Sequence, residues 1–299
     1  MVIKSKLIKN NRKGFRLMIT LIMLSMVNAI SAQQSEHQKV KGENFINVDG
    51  VKLHYRMGGH GPYLLLLHGF TLSSEQWEEY FDEFSNSYTV IAFDFPGHGQ
   101  SSRTGREFSF DHWTQLIIKA IDKLEIRQAK AIGHSYGAIT LMSIARQLPD
   151  LFESMVLISG AHRLDPAMQE ILLEDSFDKA DADFQDYYRK IHNNDMQQID
   201  GIFSDIRKFV ETREVFSVDE IGEIQIPVLL IFGDRDTFYP LEIPTEMYYA
   251  LPNASLWIVP DQGHTPVWKI MGADDLTTRQ FPEQVFSFFK SIDKTKNGK

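Results

Sequence analysis

The chain has 299 residues, and its 43% apolar and 24% charged residues are typical of a globular protein large enough to bury an extensive core. It contains no cysteine, which excludes disulfide frameworks, thiolate nucleophiles, zinc ribbons and iron–sulfur clusters, so any nucleophile must be oxygen or nitrogen. The formal net charge is -9, but residues 1–32 carry six Lys or Arg and no acid, which leaves -15 for the remainder. This acidic balance argues against a nucleic-acid partner.

The first 32 residues have the three-part order of a secretory signal peptide. Basic residues between Lys4 and Arg16 precede an apolar run of about 14 residues, and small residues follow around Ala32. A membrane span requires roughly 20 apolar residues, so the run is too short for one. We predict export to the periplasm or the extracellular space, cleavage after Ala32, and a mature protein without a stable membrane span. An uncleaved N-terminal anchor is the alternative.

Beyond residue 40, short apolar or β-branched runs alternate with amphipathic stretches. This alternation predicts an α/β fold with a mostly parallel sheet covered by helices. Eight runs are predicted strands: 44–48, 52–57, 63–67, 89–94, 129–133, 154–159, 227–232 and 255–259. The first two flank Asp49-Gly50 and should form an antiparallel hairpin. The later strands should be parallel, because helical stretches connect them at 75–84, 110–124, 138–148 and 244–251.

One long segment interrupts this alternation. Residues 162–222 contain no strand-like run and have helical, acidic and aromatic patterning, chiefly at 167–175, 183–192 and 195–210. Because strand patterning resumes at residue 227, we predict that the segment is a helical cap inserted into a single sheet. The predicted organisation is a signal peptide (1–32), a first part of the core (33–161), the cap (162–222) and a second part of the core (223–299).

The most informative motif is Gly133-His134-Ser135-Tyr136-Gly137. It follows an apolar strand and opens a helix, which is the context in which G-x-S-x-G indicates a nucleophile elbow. Glycine suits the positions two residues before and after the serine, where a Cβ atom would meet neighbouring backbone. Ser135 is therefore the predicted nucleophile, held in a strained turn with its Oγ exposed.

A serine hydroxyl needs a base, and the base needs a carboxylate to orient it. His264 follows the last predicted strand and is the only histidine in the final hundred residues, so it is the predicted base. Asp236 follows strand 227–232 and is the predicted acid. Asp234 in the same loop is the alternative, but its place directly after the strand-ending glycine suits a turn-bracing role better. The order Ser135, Asp236, His264 is neither that of chymotrypsin nor that of subtilisin.

Attack on an ester carbonyl creates an oxyanion, which N–H donors must stabilise. We predict that these donors are the backbone N–H groups of Tyr136, directly after the nucleophile, and of Phe70, in the loop after strand 63–67. His68 in this loop could act as a second base, but its position favours a structural role.

These motifs together resemble capped, esterase-like members of the α/β-hydrolase superfamily over residues 44–291. The matching segments are His68-Gly69-Phe70, residues 94–101, Gly133-His134-Ser135-Tyr136-Gly137, Gly233-Asp234-Arg235-Asp236 and Gly263-His264. The resemblance implies that Ser135, His264 and Asp236 are nucleophile, base and acid, that Phe70 and Tyr136 supply oxyanion donors, and that residues near 162–222 cap the pocket. Haloalkane dehalogenases and epoxide hydrolases are similar too, but their nucleophile is an aspartate, and this chain has Ser135.

We therefore expect a serine hydrolase that cleaves small-to-medium, apolar carboxylic esters through an acyl-enzyme intermediate, with no metal and no cofactor. The same residues could support a C–C bond hydrolase, an aminopeptidase-like amidase or a cofactor-free peroxidase. A different class of function, a non-catalytic binder of small ligands, could use the same fold.

The substrate pocket is expected to draw on aromatic residues, although packing within the protein is the competing interpretation. Trp77, Phe216 and Trp268 are the predicted substrate contacts. Further cap candidates are Phe177, Phe184, Tyr187, Tyr188, Phe203 and Phe209. Five cap acids could hold a cationic amine, although acidic runs more often form a solvated face: Glu174, Asp175, Asp178, Asp181 and Asp183.

Overall fold

The computed structural model describes residues 39–212 and 216–297. The predicted signal peptide and its cleavage site lie outside these residues. The chain divides into two units, Met1–Val40 and Lys41–Lys299, and the features described below lie in the second, except for the first two residues of the opening strand. In the described part of the chain, no helix has the length and apolar character that a membrane crossing needs.

Within the described ranges, eight strands form one sheet. They are β1 (Lys39–Val48), β2 (Val51–Gly59), β3 (Tyr63–Leu67), β4 (Thr89–Phe93), β5 (Ala129–His134), β6 (Phe152–Ile158), β7 (Val228–Gly233) and β8 (Ala254–Val259). Their spatial order is β1-β2-β4-β3-β5-β6-β7-β8. β2 pairs antiparallel with β4, and every pair from β4 to β8 is parallel. The predicted mostly parallel sheet is thus confirmed.

The turn between β1 and β2 has the conformation expected of a two-residue hairpin. Asp49 and Gly50 have φ angles of 50° and 85°. Positive φ at both central positions matches the right-handed twist of the flanking strands, and an Asp-Gly pair tolerates it well.

Nine α-helices occur among the described residues. They are α1 (Glu78–Ser85), α2 (Phe110–Lys123), α3 (Tyr136–Gln147), α4 (Pro166–Glu174), α5 (Ala182–Ile191), α6 (Met196–Thr212), α7 (Val218–Gly222), α8 (Glu242–Ala250) and α9 (Asp275–Asn297). Short 3₁₀ helices cover Ser74–Trp77, Phe177–Lys179 and Lys269–Met271. The long C-terminal helix α9 has no counterpart among the elements predicted from the sequence.

Helices α4 to α7 occupy the chain between β6 and β7, where the sequence analysis predicts a cap. Polar side chains cap the N-termini of two of these helices. The Asp181 carboxylate accepts the Phe184 N–H at the start of α5, and Ser217 and Glu220 form a reciprocal capping box at the start of α7. We refer to α4–α7 as the cap.

The central strands are buried on both faces because alternate side chains point to opposite sides. Leu65 and Leu67 of β3 belong to a core cluster with helices α2, α3 and α8. Leu64 and Leu66 belong to a second cluster with α1 and α9. This double burial explains why the central strands are near-continuous apolar runs, and it leaves the carboxyl ends of the parallel strands as the place for polar loops.

Candidate active site

Ser135 occupies the corner between β5 and α3 with φ 50° and ψ -115°. This conformation is strained for a residue with a side chain, so the surrounding backbone must hold it. The Ser135 N–H donates to the carbonyl of Ile158 in β6 at 2.8 Å, and the Ser135 carbonyl accepts the Ile139 N–H at 3.0 Å. The corner is therefore tied to the neighbouring strand on one side and to α3 on the other.

Both glycines of the motif are required by space. A Cβ atom at Gly133 would lie 2.7 Å from the backbone nitrogen of Ala138, and one at Gly137 would overlap the carbonyl oxygen of Leu67. Because backbone atoms cannot yield to a side chain, only glycine fits either position. This is the close approach that the motif predicts.

The structure brings His264 and Asp236 together at the ends of β7 and β8. The His264 Nδ1 lies 3.0 Å from Asp236 Oδ2 and 3.3 Å from Oδ1. The Asp236 side chain is fully buried, whereas 17% of the His264 side chain is exposed. The Phe238 ring stacks on the imidazole with centroids 4.4 Å apart. The Asp236 carboxylate thus contacts one nitrogen of the His264 ring, and part of the His264 side chain remains exposed.

Asp236 is itself fixed by backbone donors. Its Oδ1 accepts the N–H groups of Phe238 at 2.8 Å and Tyr239 at 3.2 Å. Asp234, the alternative acid, lies at the turn, where its N–H donates to Val259 and its carboxylate is 3.8 Å from the Arg235 guanidinium. The structure therefore brings Asp236, and not Asp234, into contact with His264.

Ser135 and His264 line the same cavity, which has a volume of about 260 Å³. Most of its other lining side chains are apolar or aromatic: Phe70, Leu72, Tyr136, Ile139, Leu164, Leu172, Phe184, Tyr188, Ile206, Phe209, Phe238, Tyr239 and Met271. The polar remainder comprises Thr71, His134, Asp175 and Thr265. An apolar cavity with a few convergent polar groups is the usual form of a small-molecule site.

Phe70 and Tyr136 meet beside Ser135. Both line the cavity, and their rings pack edge to face with centroids 4.6 Å apart. Tyr136 is the first residue of α3, so its amide lies at the positive end of the helix dipole. The two residues whose amides are the predicted oxyanion donors are thus in side-chain contact at the cavity wall.

A chain of side-chain hydrogen bonds connects the Phe70 loop to the His264 loop. The Gly69 N–H donates to Gln76 Oε1 at 3.0 Å, and Gln76 Nε2 donates to His134 Nδ1 at 2.9 Å. The His134 Nε2 then donates to the His264 carbonyl at 3.1 Å. Because Gly69 N can only donate and the His264 oxygen can only accept, these ends fix the Gln76 amide orientation and the His134 tautomer. We call this the Gln76–His134 chain.

Sequence reasoning missed the Gln76–His134 chain. Gln76 belongs to no motif, and His134 is a variable position of the G-x-S-x-G pattern. Burial lowers the pKa of His134 well below its ordinary value, aided by the nearby His264, so the ring stays neutral, as the chain requires.

His68 is a buried structural residue in this arrangement. Its Nδ1 donates to the Gly69 carbonyl at 2.7 Å, and its Nε2 accepts the Phe95 N–H at 3.1 Å. Burial lowers its pKa to about 4, so it is neutral near pH 7. With both nitrogens engaged in the loop, His68 has the surroundings expected for its predicted structural role.

None of the three predicted substrate contacts is among the described residues that line the cavity. Trp77 and Trp268 are fully buried in the second core cluster, where their rings pack 5.4 Å apart. Phe216 packs against the first core cluster, with the Arg146 guanidinium 5.5 Å from its ring. Large apolar rings gain more from complete burial than from a cavity wall, which explains the difference.

The other aromatic candidates of the cap divide between two roles. Phe184, Tyr188 and Phe209 line the cavity, and Tyr187 lines a separate groove that adjoins it. Phe177 and Phe203 instead form a small internal cluster with Ile199. In the described residues, no group of three or more His, Asp or Glu side chains has an arrangement that could hold a metal ion.

Comparison with known proteins agrees with this architecture. Residues 62–200 match the family model described as the alpha/beta hydrolase fold. An uncharacterised hydrolase of Bacillus subtilis is 27% identical over 245 residues, which cover 73% of this chain and 89% of the relative. A pimeloyl-[acyl-carrier protein] methyl ester esterase of Nitrosomonas europaea is 25% identical over 271 residues, 81% of this chain and 100% of the relative.

A solved structure gives the same result for the fold. The meta-cleavage product hydrolase of Pseudomonas fluorescens superposes with a TM-score of 0.69 at 22% identity, over 84% of this chain and 98% of that one. The sheet order, the family match and the relatives agree: the chain has the α/β-hydrolase fold and is similar to hydrolases of that superfamily.

Proposed function

We propose that the protein is a serine hydrolase that cleaves small-to-medium carboxylic esters, with Ser135 as nucleophile, His264 as base and Asp236 as the orienting acid. One observation carries the proposal: the strained Ser135 corner opens into the same apolar cavity as an imidazole whose Nδ1 contacts a buried carboxylate. A base of this kind activates a hydroxyl nucleophile, and a cavity wall beside it accommodates the ester.

In the first stage, Ser135 Oγ attacks the carbonyl carbon while His264 Nε2 takes the hydroxyl proton. Asp236 accepts the Nδ1–H and stabilises the imidazolium. The negative charge moves to the carbonyl oxygen, where the N–H groups of Phe70 and Tyr136 stabilise it. The alkoxide leaves with the proton from His264 Nε2, and the acyl group remains on Ser135.

In the second stage, His264 Nε2 removes a proton from a water molecule that attacks the acyl carbon. Collapse of the second tetrahedral intermediate returns this proton to Ser135 Oγ and releases the acid. The cycle consumes one water per ester and needs no cofactor.

Covalent labelling tests the nucleophile. We expect a fluorophosphonate probe to modify Ser135 of the wild-type protein and to leave Ser135→Ala unmodified, with peptide mapping to locate the adduct. Ser143 is a matched control, since it is a buried serine of α3 beyond the corner, and Ser143→Ala should be labelled like the wild type. Absence of labelling in the folded wild-type protein would contradict the proposal.

A substrate panel then defines the reaction. Aryl esters, lactones, amino-acid arylamides and a C–C bond substrate separate esterase, amidase and carbon–carbon bond hydrolase activities on the same residues. We expect the aryl esters to have the highest kcat/KM, because the cavity is small and largely apolar. If an arylamide or a C–C substrate has a higher kcat/KM, that substrate class replaces the ester in the proposal, and the role of Ser135 as nucleophile is unchanged. Labelling without turnover of any substrate would favour the ligand-binder alternative.

We also propose that residues 1–32 direct export of the protein to the periplasm or the extracellular space. The order of basic, apolar and small residues supports this. N-terminal sequencing of the protein isolated from its native cells should begin near residue 33. A sequence that begins at residue 1, in a membrane fraction, would indicate the uncleaved anchor instead.

A further inference from the structure

Asp175 is the only carboxylate among the described residues that line the cavity. It directly follows α4 in the cap, and its cavity neighbours include the apolar Leu172 of that helix. A carboxylate is costly to bring next to apolar surface unless a partner compensates it. The contacts of Asp175 therefore need an explanation.

Within the protein, the Asp175 carboxylate has little compensation. Its Oδ1 accepts the N–H of Ser176 at 2.9 Å. The nearby Arg207 donates to the backbone carbonyl of Asp175 at 2.8 Å and so does not pair with the carboxylate. Among the described residues, no Lys, Arg or His forms an ion pair with it. Burial raises its pKa, and the Ser176 N–H and the charges of Lys179 and Arg207 offset only part of that rise, because neither cation pairs with the carboxylate.

Two aromatic rings line the cavity together with this carboxylate. Phe184 and Tyr188 of α5 have ring centroids 6.0 Å apart. Burial raises the pKa of the Tyr188 phenol, and the negative charge of the nearby Asp175 raises it further. Aromatic faces attract cations, and aromatic rings beside a carboxylate are suited to a quaternary or protonated amine.

A second, outer groove has the same electrostatic character. It has a volume of about 590 Å³ and is lined by Asp181, Asp183 and Asp186, and it shares Phe184 and Met271 with the cavity. Only Asp186 of these three acids forms an ion pair among the described residues, with Arg189 at 3.1 Å. The groove therefore presents negative potential beside the cavity wall, which attracts cationic ligands and disfavours anionic ones.

We propose that Asp175 recognises a cationic nitrogen on the substrate, so that the preferred esters carry an ammonium group at the end of the molecule that contacts the cap. This inference rests on the proposed esterase function and specifies its substrate class. Asp175 supplies the opposite charge, Phe184 and Tyr188 supply ring faces, and the outer groove guides the cation toward the cavity.

The test compares esters that differ by one nitrogen in place of one carbon. On the alcohol side, the pair is the acetate ester of choline and that of 3,3-dimethylbutan-1-ol. On the acyl side, it is the 4-nitrophenyl ester of 4-(trimethylammonio)butanoate and that of 5,5-dimethylhexanoate. The measured quantity is the ratio of kcat/KM for the cationic ester to kcat/KM for its neutral partner. Intrinsic reactivity differences cancel when this ratio is compared between the wild type and a variant.

We expect Asp175→Asn to lower this ratio about tenfold for at least one pair, mainly through KM, because a charge pair is replaced by a neutral amide of the same shape. Asp178→Asn is the matched control, since Asp178 is an exposed acid of the same segment and its replacement removes the same net charge. Its ratios should stay within about twofold of the wild type. Unchanged ratios in Asp175→Asn for both pairs would overturn the inference.

Failure of this inference differs from failure of the proposed function. Wild-type and Asp175→Asn proteins that are both labelled at Ser135 but show equal ratios would retain the esterase and lose the cationic specificity. If no ester is turned over, the cation site is tested by binding instead. Calorimetry then compares the affinity of the Ser135→Ala protein for choline with its affinity for 3,3-dimethylbutan-1-ol. Tighter binding of choline that is lost when Asp175→Asn is added supports the cation site, whereas equal affinities overturn it.

Discussion

The two sides of the cavity are built in different ways. On the sheet side, Ser135, His264 and Asp236 lie on short loops at strand ends, and backbone donors or the Gln76–His134 chain fix their positions. On the cap side, the cavity wall around Phe209 is formed by apolar packing. Hydrogen bonds also join the cap to the core, from His192 Nε2 to the Thr71 carbonyl at 2.9 Å and from Thr71 Oγ1 to the Tyr188 hydroxyl at 3.3 Å, but none of them fixes a cavity-lining ring as tightly as Asp236 and the Gln76–His134 chain fix the sheet side.

This difference separates chemistry from recognition. Directional bonds hold groups within the narrow geometric limits that proton transfer requires. Apolar packing tolerates changes of shape, so it suits a surface that adapts to the substrate. We therefore expect substitutions on the sheet side to lower kcat and substitutions on the cap side to change KM and substrate preference.

The largest effect is expected for Asp236→Asn. Loss of the carboxylate removes the charge that stabilises the imidazolium and permits the wrong tautomer of His264, so kcat should fall by about 10³ to 10⁴. Asp234→Asn is the matched control in the same loop, and its kcat should remain within about threefold of the wild type. Steady-state kinetics with an aryl ester measure both. Equal losses in the two variants would contradict the assignment of Asp236.

A smaller loss of kcat is expected for Gln76→Leu. Leucine leaves the Gly69 N–H and the His134 Nδ1 buried without their partners, so the Phe70 loop should shift relative to Ser135. A misplacement of about 1 Å can cost roughly 10²-fold, and we expect kcat to fall about 10- to 100-fold with KM little changed.

The control for Gln76→Leu is Gln115→Leu, which removes a surface hydrogen bond to Gln147 of 2.6 Å. Both variants are assayed well below their unfolding temperatures, so that lost stability does not appear as lost activity. A kcat for Gln76→Leu within twofold of the wild type would show that the Gln76–His134 chain does not position the site.

The pH dependence of the unfolding free energy tests the protonation of His98, a buried ring that packs against Phe70. Burial, together with the charges of His68 and His192, lowers the pKa of His98 well below its ordinary value of 6.5. Below pH 6.5 the unfolded chain binds a proton that the folded chain does not, so stability falls with falling pH by about 1.4 kcal/mol per pH unit for this group.

His98→Phe should therefore give a shallower decline of the unfolding free energy between about pH 6 and 5, measured by urea denaturation. Trp113→Phe is the control, because Trp113 packs against His98 with centroids 5.5 Å apart and does not titrate. It should lower stability at every pH and keep the wild-type slope. Parallel slopes for His98→Phe and the wild type would contradict the expectation.

The smallest effect is expected at the longest of the hydrogen bonds named above between the two sides. Tyr188→Phe removes the acceptor of the Thr71 hydroxyl, whose bond is long and neutral. We expect the free energy of unfolding to fall by less than about 1 kcal/mol and kcat/KM to fall less than about threefold. Tyr187→Phe, on the outer groove, is the matched control. A tenfold loss in Tyr188→Phe alone would mean that this bond couples the cap to the Phe70 loop.

The sequence was sufficient for the sheet and for the strand-end loops. Doubly buried strands such as β3 and β7 are continuous apolar runs, so their positions are predicted within one or two residues. The carboxyl ends of parallel strands lie at one edge, so residues that follow them in sequence meet in space. His264 and Asp236 are therefore found in contact although 28 residues separate them.

The cap side could not be predicted in the same detail. An aromatic residue on an amphipathic helix can face the core, the cavity or another cap helix, and the choice depends on packing angles that periodicity does not encode. Phe203 and Phe209 illustrate this within α6, since the first packs inside the cap and the second faces the cavity. Likewise, nothing in the acidic run distinguishes Asp175 from its neighbours before the helices are placed.

The direction of the Gln76–His134 chain limits how protons can travel in this molecule. Every bond in it points from the Gly69 amide toward the His264 carbonyl, and neither terminal backbone group can reverse its role. A relay would need both ends to exchange protons, so this path is a fixed brace and not a conduit. The chain therefore orients the Phe70 and His264 loops without carrying protons, and in the proposed mechanism the Ser135 proton passes through His264 Nε2 to the departing alcohol.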